Sequence, residues 1–503
     1  MAQHTQVLII GSGFSGIALG RALRQSRFTD FRILERGSDV GGVWRSNTYP
    51  GCRCDVPSHL YSFSFAPNPE WTSTYSPQPE IQAYLRRCLD RFGLRPHLHT
   101  GVEVEEARWD EDDQLWHVTT DNGPWTAQVL VSAMGPLTEP KLPDVPGIDR
   151  FQGKIMHSSQ WDHDHDLTGE RVASIGTGAS AIQYVPEIAD RTGKLYVFQR
   201  SAPWVMPHDK RPITDAERAR FRSRPLRQRI ERGKVYVSKE LLVLGFAKRP
   251  KLMRVLQNVA RKHLERQVKD PALRRALTPD FTLGCKRIVP SNTWYPALQK
   301  PQVELVPQAL REIREHSVID SAGGEHDVDT IIFGTGFRVT DIPFADKVRG
   351  RDGVLMSDAW AGSPRAYLGV SVPRFPNFFM FLGPNSGLGH SSMVYMIEAQ
   401  AEHVKNAVRA LDLAGAGTIE VDQRIHDTYN DELDRRLATT VWETGGCQSF
   451  YRDANGRNAT IYPDWTFIFR RRAVRWKPAA YHLTPRPSPG SERQRPATTV
   501  DAS

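Results

Sequence analysis

Residues 6–16 read QVLIIGSGFSG, and this stretch decides the fold. The apolar run 6–10 leaves no position for a solvent-facing side chain, as expected of a buried parallel strand. A G-x-G-x-x-G turn comes next, formed by Gly11, Gly13 and Gly16 with Ser15 before the last glycine, and then apolar residues recur at helical spacing. A strand, such a turn and a helix bring backbone N–H groups to one point, ready for a pyrophosphate.

The acidic residue that completes this pattern is Glu35, which ends the next apolar run at residues 31–34. It lies about 20 residues beyond the turn, where a carboxylate binds a ribose hydroxyl. Strand, turn, helix and acid in this order predict a Rossmann-like fold that binds a dinucleotide.

The same pattern returns at residues 172–181, which read VASIGTGASA. Its predicted binding residues are Gly176, Gly178 and Ser180, and Ala181 takes the place of the third glycine, which the fingerprint allows. We therefore predict an α/β protein with two Rossmann-like dinucleotide-binding domains.

The second fold differs from the first at the end of its second strand. Residues 195–198 end without an acid, and Gln199, Arg200 and Ser201 follow. Because a carboxylate would repel a 2′-phosphate and an arginine would pair with one, this fold is predicted to bind NADPH in preference to NADH.

Length and composition agree with a multidomain globular protein. The chain has 503 residues, 39% of them hydrophobic, and a mean hydropathy of −0.47. The apolar start lacks the basic region of a signal peptide, and no run approaches a membrane span. The five cysteines, at positions 52, 54, 88, 285 and 447, suggest no disulfide framework, so a cytoplasmic location is expected.

The net charge of +9 is concentrated in a helix-like segment at 209–269 and at 470–475. No nucleic-acid-binding motif accompanies either cluster, so no nucleic acid partner is expected and the charges are interpreted as solvated faces that also attract the anionic NADPH. Within the segment, the apolar patch 241–246 is predicted to be core. A substrate entrance or a weak membrane contact remains open for this patch.

The domain organisation is predicted from the positions of the two turns. Residues 1–140 are predicted to form the first part of the domain that carries the first turn, with a proline-rich linker at 136–146. Residues 141–335 are predicted to form the NADP-binding domain, interrupted by a helical insertion at about 207–277, and the domain of the first turn resumes at 336–477. The tail 478–503 is rich in Pro, Arg, Ser and Thr and is predicted to be disordered.

Two longer patterns identify a family. Residues 151–162, FQGKIMHSSQWD, fit F-x-G-x-x-x-H-x-x-x-W-D, and residues 41–55 fit G-G-x-W-x-x-x-x-Y-P-G-x-x-x-D. Both are fingerprints of the Baeyer–Villiger monooxygenases, which the chain resembles over most of its first 200 residues. The resemblance implies an FAD enzyme whose FAD-binding domain is the one at 1–140 and 336–477. Such an enzyme consumes NADPH and O₂, forms a C4a-peroxyflavin and inserts oxygen beside a ketone carbonyl to give an ester or lactone.

The resemblance also implies roles for single residues. Arg287 would stabilise the peroxyanion, Asp55 would hold Arg287 in place, and Lys286 would bind the NADPH phosphate. Trp442 stands where the family places a tryptophan near the nicotinamide ribose. Further predicted cofactor-binding residues are Trp44, Tyr61 and Val104.

Several other motifs are given structural roles. His157 and Trp161 are expected to couple NADPH binding to domain rotation, with His157 as a general base the alternative. The run 163–166, HDHD, is interpreted as a polar loop without a metal, and a redox disulfide between Cys52 and Cys54 is discounted.

Departures from the family pattern leave the substrate open. Gly334 stands where alanine is usual, and residues 445–451 differ from the better-known ketone oxygenases. The alternatives are a flavin monooxygenase that oxygenates nitrogen or sulfur, and a dinucleotide sensor without turnover. The sequence does not indicate an oligomeric state.

Overall fold

Two separate β-sheets carry the two glycine-rich turns in the computed structural model, which describes residues 2–486. The strands are β1 (Gln3–Ile10), β2 (Phe31–Glu35), β3 (Leu98–Thr100), β4 (Val104–Asp110), β5 (Leu115–Thr120), β6 (Trp125–Ser132), β7 (Lys154–His157), β8 (Arg171–Ile175), β9 (Lys194–Phe198), β10 (Val205–Met206), β11 (Val289–Pro290), β12 (Val303–Val306), β13 (Leu310–Ile313), β14 (Ser317–Asp320), β15 (Glu325–Asp327), β16 (Thr330–Phe333), β17 (Val348–Arg349), β18 (Phe378–Met380), β19 (Ala416–Val421) and β20 (Tyr481–Pro485). The α-helices are α1 (Phe14–Gln25), α2 (Val43–Ser46), α3 (Gln78–Arg91), α4 (Ala179–Ile188), α5 (Asp215–Ser223), α6 (Pro225–Glu240), α7 (Met253–Gln267), α8 (Pro271–Ala276), α9 (Trp294–Ala297), α10 (Met356–Trp360), α11 (Met393–Leu413), α12 (Gln423–Leu437), α13 (Val441–Thr444) and α14 (Thr466–Val474).

The first sheet is built around β1 and has the order β17-β4-β5-β6-β1-β2-β3, with β18 also paired to β6. β1 runs parallel to both β2 and β6, and Val7, Leu8 and Ile9 are fully buried because helices and strands cover both faces. α1 returns from the turn and packs on α11. This unit, called the first unit below, draws its strands from residues 3–132 and 348–380.

The second sheet is wholly parallel, in the order β12-β9-β8-β16-β7. α4 follows β8 directly, as the second glycine-rich turn predicts. This second unit takes its strands from residues 154–333. The α/β class with two Rossmann-like sheets is confirmed, whereas the domain boundaries predicted from the sequence stay a prediction.

The chain crosses between the units through two segments that bind each other. Residues 139–141 of the proline-rich stretch run beside residues 336–338, and Pro140 bridges Phe337 in antiparallel register. Lys141 N donates to Gly336 O at 2.9 Å, and Arg338 N donates to Glu139 O at 3.0 Å. The two crossings therefore form a paired linker.

The segment between β10 and β11 is helical, containing α5 to α8 and a π-helical turn at Leu244–Lys248. Of the apolar patch 241–246, Val243 and Phe246 are buried in a core cluster, as predicted, whereas Leu241 and Leu244 are exposed. The patch is thus core on one side only.

The prediction that the tail is disordered from residue 478 is wrong at its start. β20 pairs antiparallel with β19, and the Tyr481 hydroxyl lies 2.7 Å from His403 Nε2. Burial lowers the pKa of His403 to about 4. The contact of Tyr481 with a buried partner orders the start of the tail although the residues around it are polar. Residues 487–503 lie outside the part of the chain that the structure describes.

The prediction of no disulfide is also wrong, because Cys285 and Cys447 are bonded. They lie 162 residues apart and meet where Thr282 N donates to Gly445 O at 2.9 Å. Sequence spacing could not show this, since the pairing depends on packing of the segment before Lys286 against the segment after α13. Cys52, Cys54 and Cys88 are free and buried.

Within residues 2–486, none of the helices combines the length and the apolar character needed to cross a membrane.

Candidate active site between two dinucleotide folds

The first turn presents an uncapped helix terminus. Gly11 has φ +104°, and a side chain there would collide with the Ala133 carbonyl oxygen at 2.8 Å. Gly13 forms the N-cap of α1 without any side-chain hydrogen bond, and it faces Gly42 across a gap that a Cβ would enter at 3.7 Å. Free N–H groups in a glycine-lined gap fit a pyrophosphate.

Glu35 closes this turn from the end of β2. Its carboxylate accepts hydrogen bonds from Ser12 N at 3.0 Å, Ser12 Oγ at 2.6 Å and Gly37 N at 2.9 Å. Arg45 lies 3.9 Å away, and its buried Nε has no hydrogen-bond partner among the described residues. Held in this way beside the turn, the acid is placed to meet a ribose.

Three other predicted cofactor-binding residues lie around the first unit. Trp44 Nε1 donates to the Tyr61 hydroxyl at 2.9 Å, and the two rings pack edge to face. Val104 begins β4 and is buried in the same core cluster as Val102. The backbone contact with Glu35 comes from Val102, whose N donates to Glu35 O at 3.0 Å.

The second turn repeats the first but ends in cations. Gly178 is the uncapped N-cap of α4, and Gly176 has φ +106°. Lys286 Nζ donates to Ser201 Oγ at 2.8 Å, and Arg200 is exposed beside them. Burial lowers the pKa of Lys286, and the neighbouring Arg200 lowers it further, so these two cations lie close together and fit a phosphate.

Arg287 and Asp55 form a bidentate ion pair between the units. Nε and Nη2 donate to the carboxylate at 2.7 and 2.6 Å. Asp55 raises the pKa of Arg287 still further above its ordinary value. The Arg287 side chain is 40% exposed, so it is fixed on one edge and open on the other.

Tyr451 faces this pair from the loop after the disulfide. Burial raises its pKa to about 12, and Arg287 opposes that shift. No sequence motif assigned a role to Tyr451, and only its position in the divergent stretch 445–451 pointed to it.

The stretch that leads to Asp55 is anchored on the second unit. The Tyr49 hydroxyl donates to Gln183 Oε1 at 3.1 Å, and Gln183 also exchanges hydrogen bonds with the backbone of Arg53. Ser180 contacts the Tyr49 hydroxyl as well. The fingerprint at residues 41–55 of the first unit therefore packs directly on α4, the helix of the second turn.

A buried aromatic cluster lies in the same core as Cys285 and Tyr451. Trp442 stacks on Phe246 with ring centroids 5.4 Å apart and lies against Gly389, next to His390. Both ring nitrogens of His390 and Nε1 of Trp442 are buried without a hydrogen-bond partner within residues 2–486. His390 Nε2 lies 3.4 Å from Glu240 Oε1, a contact that sequence reasoning missed. Unpaired buried donors at this place fit a bound group.

His157 lies away from this cluster. Its Nδ1 lies 2.8 Å from Ser159 Oγ, and its Nε2 lies 3.1 Å from Gly336 O in the paired linker. Burial lowers its pKa. Trp161 packs on Tyr184 of α4. Both ring nitrogens of His157 are thus engaged, which disfavours the general-base alternative.

The run 163–166 and the pair Cys52 and Cys54, to which the sequence assigned neither a metal nor a disulfide, have the following contacts. In the run 163–166, His165 Nε2 lies 3.1 Å from Glu170 and Asp166 accepts from Arg191 at 2.8 Å. Cys52 and Cys54 are not bonded to each other, and burial raises the pKa of Cys52 to about 12.

Comparison with known proteins agrees with this geometry. Residues 8–224 match the family model described as pyridine nucleotide-disulphide oxidoreductase. A Baeyer–Villiger monooxygenase of Streptomyces coelicolor is 48% identical over 489 residues, covering 97% of this chain and 94% of the relative. A Baeyer–Villiger monooxygenase of Pseudomonas aeruginosa is 46% identical over 488 residues, covering 97% and 93%.

Two solved structures share the fold over almost the whole chain. Closed cyclohexanone monooxygenase superposes with a TM-score of 0.85 at 27% identity, covering 96% of this chain and 100% of that one. OTEMO in complex with FAD and NADP also gives 0.85, at 26% identity and with the same coverage. On the strength of the two curated relatives, and with a fold and two fingerprints that agree, the chain belongs to the Baeyer–Villiger monooxygenases.

Proposed function

We propose that the first unit binds FAD, the second binds NADPH, and the protein inserts one oxygen atom of O₂ beside the carbonyl of a ketone, giving an ester or lactone. The Arg287–Asp55 pair between the two turn-bearing units carries this proposal. When bound, reduced FAD supplies the activation of oxygen, and the roles below belong to the residues of this chain.

The first unit holds its dinucleotide through backbone donors and one acid. The gap between Gly13 and Gly42 accepts the pyrophosphate, since a side chain at either position would enter it. Glu35 binds the ribose, because its carboxylate is already fixed by Ser12 and Gly37 at the end of β2.

The second unit selects NADPH through charge. Lys286 and Arg200 both lie at the end of β9, and Ser201 links the lysine to that strand end. Two cations placed together favour the additional phosphate of NADPH. Trp442 closes the nicotinamide side, with its unpaired Nε1 available to a ribose oxygen.

Arg287 stabilises negative charge on oxygen during the insertion. Asp55 occupies Nε and Nη2, which leaves Nη1 on the open edge of the guanidinium for a developing oxyanion. The raised pKa keeps this charge at every working pH. Asp55 thus acts as a positioning residue.

The test combines a substrate panel with a matched pair of variants. The wild type, Arg287→Ala and the exposed-site control Arg311→Ala are assayed with ketones and sulfides for NADPH oxidation and for oxygenated product. We expect esters or lactones from ketones with the wild type and the control. In Arg287→Ala, product formation should fall by about a hundred- to a thousandfold while FAD and NADPH still bind, and NADPH oxidation should end in hydrogen peroxide.

Two results would overturn the proposal. Normal ester formation in Arg287→Ala would remove the arginine from the reaction. Oxygenation of sulfides with no ketone turned over by the wild type would reject the proposed substrate class.

A further inference from the structure

The outer face of α6 is apolar although it points into solvent. Leu226, Ile230, Val237 and Leu241 are 68%, 52%, 55% and 54% exposed. Their spacing of four, seven and four residues places them on one stripe of the helix. Gly233 falls on the same stripe, and a side chain there would meet open space.

The inner face of α6 is polar and holds the helix to the rest of the protein. Gln228 donates to Asn68 O at 2.6 Å, and Arg232 donates to the carbonyls of His59 and Ser62 at 2.7 and 2.9 Å. At the C-terminal end, Glu240 accepts from Thr466 N at 3.0 Å. α6 is therefore inverted compared with an ordinary surface helix, because its polar side faces the protein.

Positive charge surrounds the exposed stripe. Residues 222–262 contain thirteen Lys and Arg but two Glu, so this segment carries more positive charge than the whole chain's net +9. Arg227, Arg229 and Lys234 lie on α6 beside the stripe and are exposed. The next part of the segment repeats the pattern, with Leu252 and Val255 46% and 65% exposed.

We propose that this face of the helical insertion docks on an anionic membrane surface, with the stripe at the acyl boundary and the basic residues at the lipid headgroups. An aliphatic stripe flanked by Arg and Lys is the composition that binds such an interface. A second copy of the chain is a poor occupant, because a symmetric contact would bring two equally positive faces together. Docking would also bring lipid close to Leu244, two residues before the Phe246–Trp442 stack.

The experiment is co-sedimentation of the full-length holoenzyme with vesicles of phosphatidylcholine alone or with one-third phosphatidylglycerol. We expect binding to the anionic vesicles, weaker binding to the neutral ones, and loss of binding in 1 M NaCl. Arg227→Gln/Arg229→Gln should weaken partitioning by roughly twenty-five-fold, since each basic residue near the surface contributes about fivefold. Ile230→Ser/Val237→Ser should weaken it by at least about tenfold.

Control variants test whether vesicle binding depends on this face of α6 or on exposed aliphatic and basic residues in general. Leu413→Ser and Arg311→Gln change an exposed aliphatic residue and an exposed cation elsewhere and should leave partitioning unchanged. NADPH oxidation should be unaltered in all four variants, which shows that they are folded. The proposal fails if the wild type does not bind anionic vesicles, or if the two α6 variants bind them as the wild type does.

Discussion

The two dinucleotide-binding turns have nearly the same backbone conformation, but an alanine side chain packs on each of them from a different position. Gly13 and Gly178 cap their helices at φ/ψ of −75°/−161° and −78°/−172°. In the first turn the third position is Gly16, where a side chain would overlap the Gly11 carbonyl oxygen, and the neighbouring strand contributes Ala133. In the second turn the third position is Ala181.

In the second turn, a smaller residue after the neighbouring strand makes room for the larger side chains of the helix. Gly334 takes the place of Ala133, and a Cβ there would lie 2.9 Å from the Tyr184 hydroxyl and 3.4 Å from Ala181 Cβ. The departure at Gly334, where related flavoproteins have alanine, thus compensates for Ala181 and Tyr184. The space between helix and strand has a limited volume. The alanine that fills it lies on the strand side in the first turn and on the helix in the second.

The largest expected effect comes from imposing the second turn's residue on the first. Gly16→Ala should abolish flavin retention, because the methyl group would displace α1 from the carbonyl of Gly11 and so disturb the pyrophosphate donors. Flavin absorbance per chain after purification measures this. The matched control, Ala181→Gly, should keep full flavin, and full flavin in both variants would show that the turns are interchangeable.

The Cys285–Cys447 disulfide joins the second unit to the C-terminal part of the chain. The free cysteines among residues 2–486 all lie in the first unit, so the two units differ in this respect. Cys447→Ser should destabilise the protein by about 2–4 kcal/mol, because the bond closes a loop of some 160 residues. Thermal unfolding with and without reductant checks this, and the effect of reductant should vanish in the variant. Five reactive thiols in denatured, unreduced wild type would contradict the pairing.

The next largest effect is expected from the difference in charge between the end of β2, which carries Glu35, and the end of β9, which is followed by Arg200. Arg200→Ala should weaken NADPH binding roughly ten- to a hundredfold, the value of a charge-assisted phosphate contact of about 1.5–3 kcal/mol, and should leave NADH unchanged. KM values for both nucleotides measure it, with Arg311→Ala as the control. An unchanged KM for NADPH would leave the phosphate to Lys286 alone.

The smallest effect tests the compensation at Gly334. Gly334→Ala should lower stability by about 1–3 kcal/mol, because the methyl group presses on the Tyr184 hydroxyl, which lies 2.8 Å from Ser174 Oγ. Tyr184→Phe should absorb part of this cost, so urea unfolding of both single variants and the double variant forms a cycle. Strict additivity would mean that the two groups do not compete for space.

Local patterns and family resemblance predicted different parts of the molecule. Both turns, Glu35 and the cations after β9 are predictable from short stretches, because strand, turn and helix are contiguous. Arg287 lies 232 residues from Asp55, so only the fingerprints could relate them. No such pattern exists for the Cys285–Cys447 bond or for the buried His390–Glu240 contact, which arise from packing between distant segments.

The paired linker has a mechanical consequence for the molecule. Two segments joined by Lys141 N to Gly336 O and Arg338 N to Glu139 O form a strip instead of a single string. A strip bends across its thin dimension more easily than within its own plane. We therefore expect the two sheets to move relative to each other most easily across the strip, and the contact of His157 with Gly336 O lies on the strip itself.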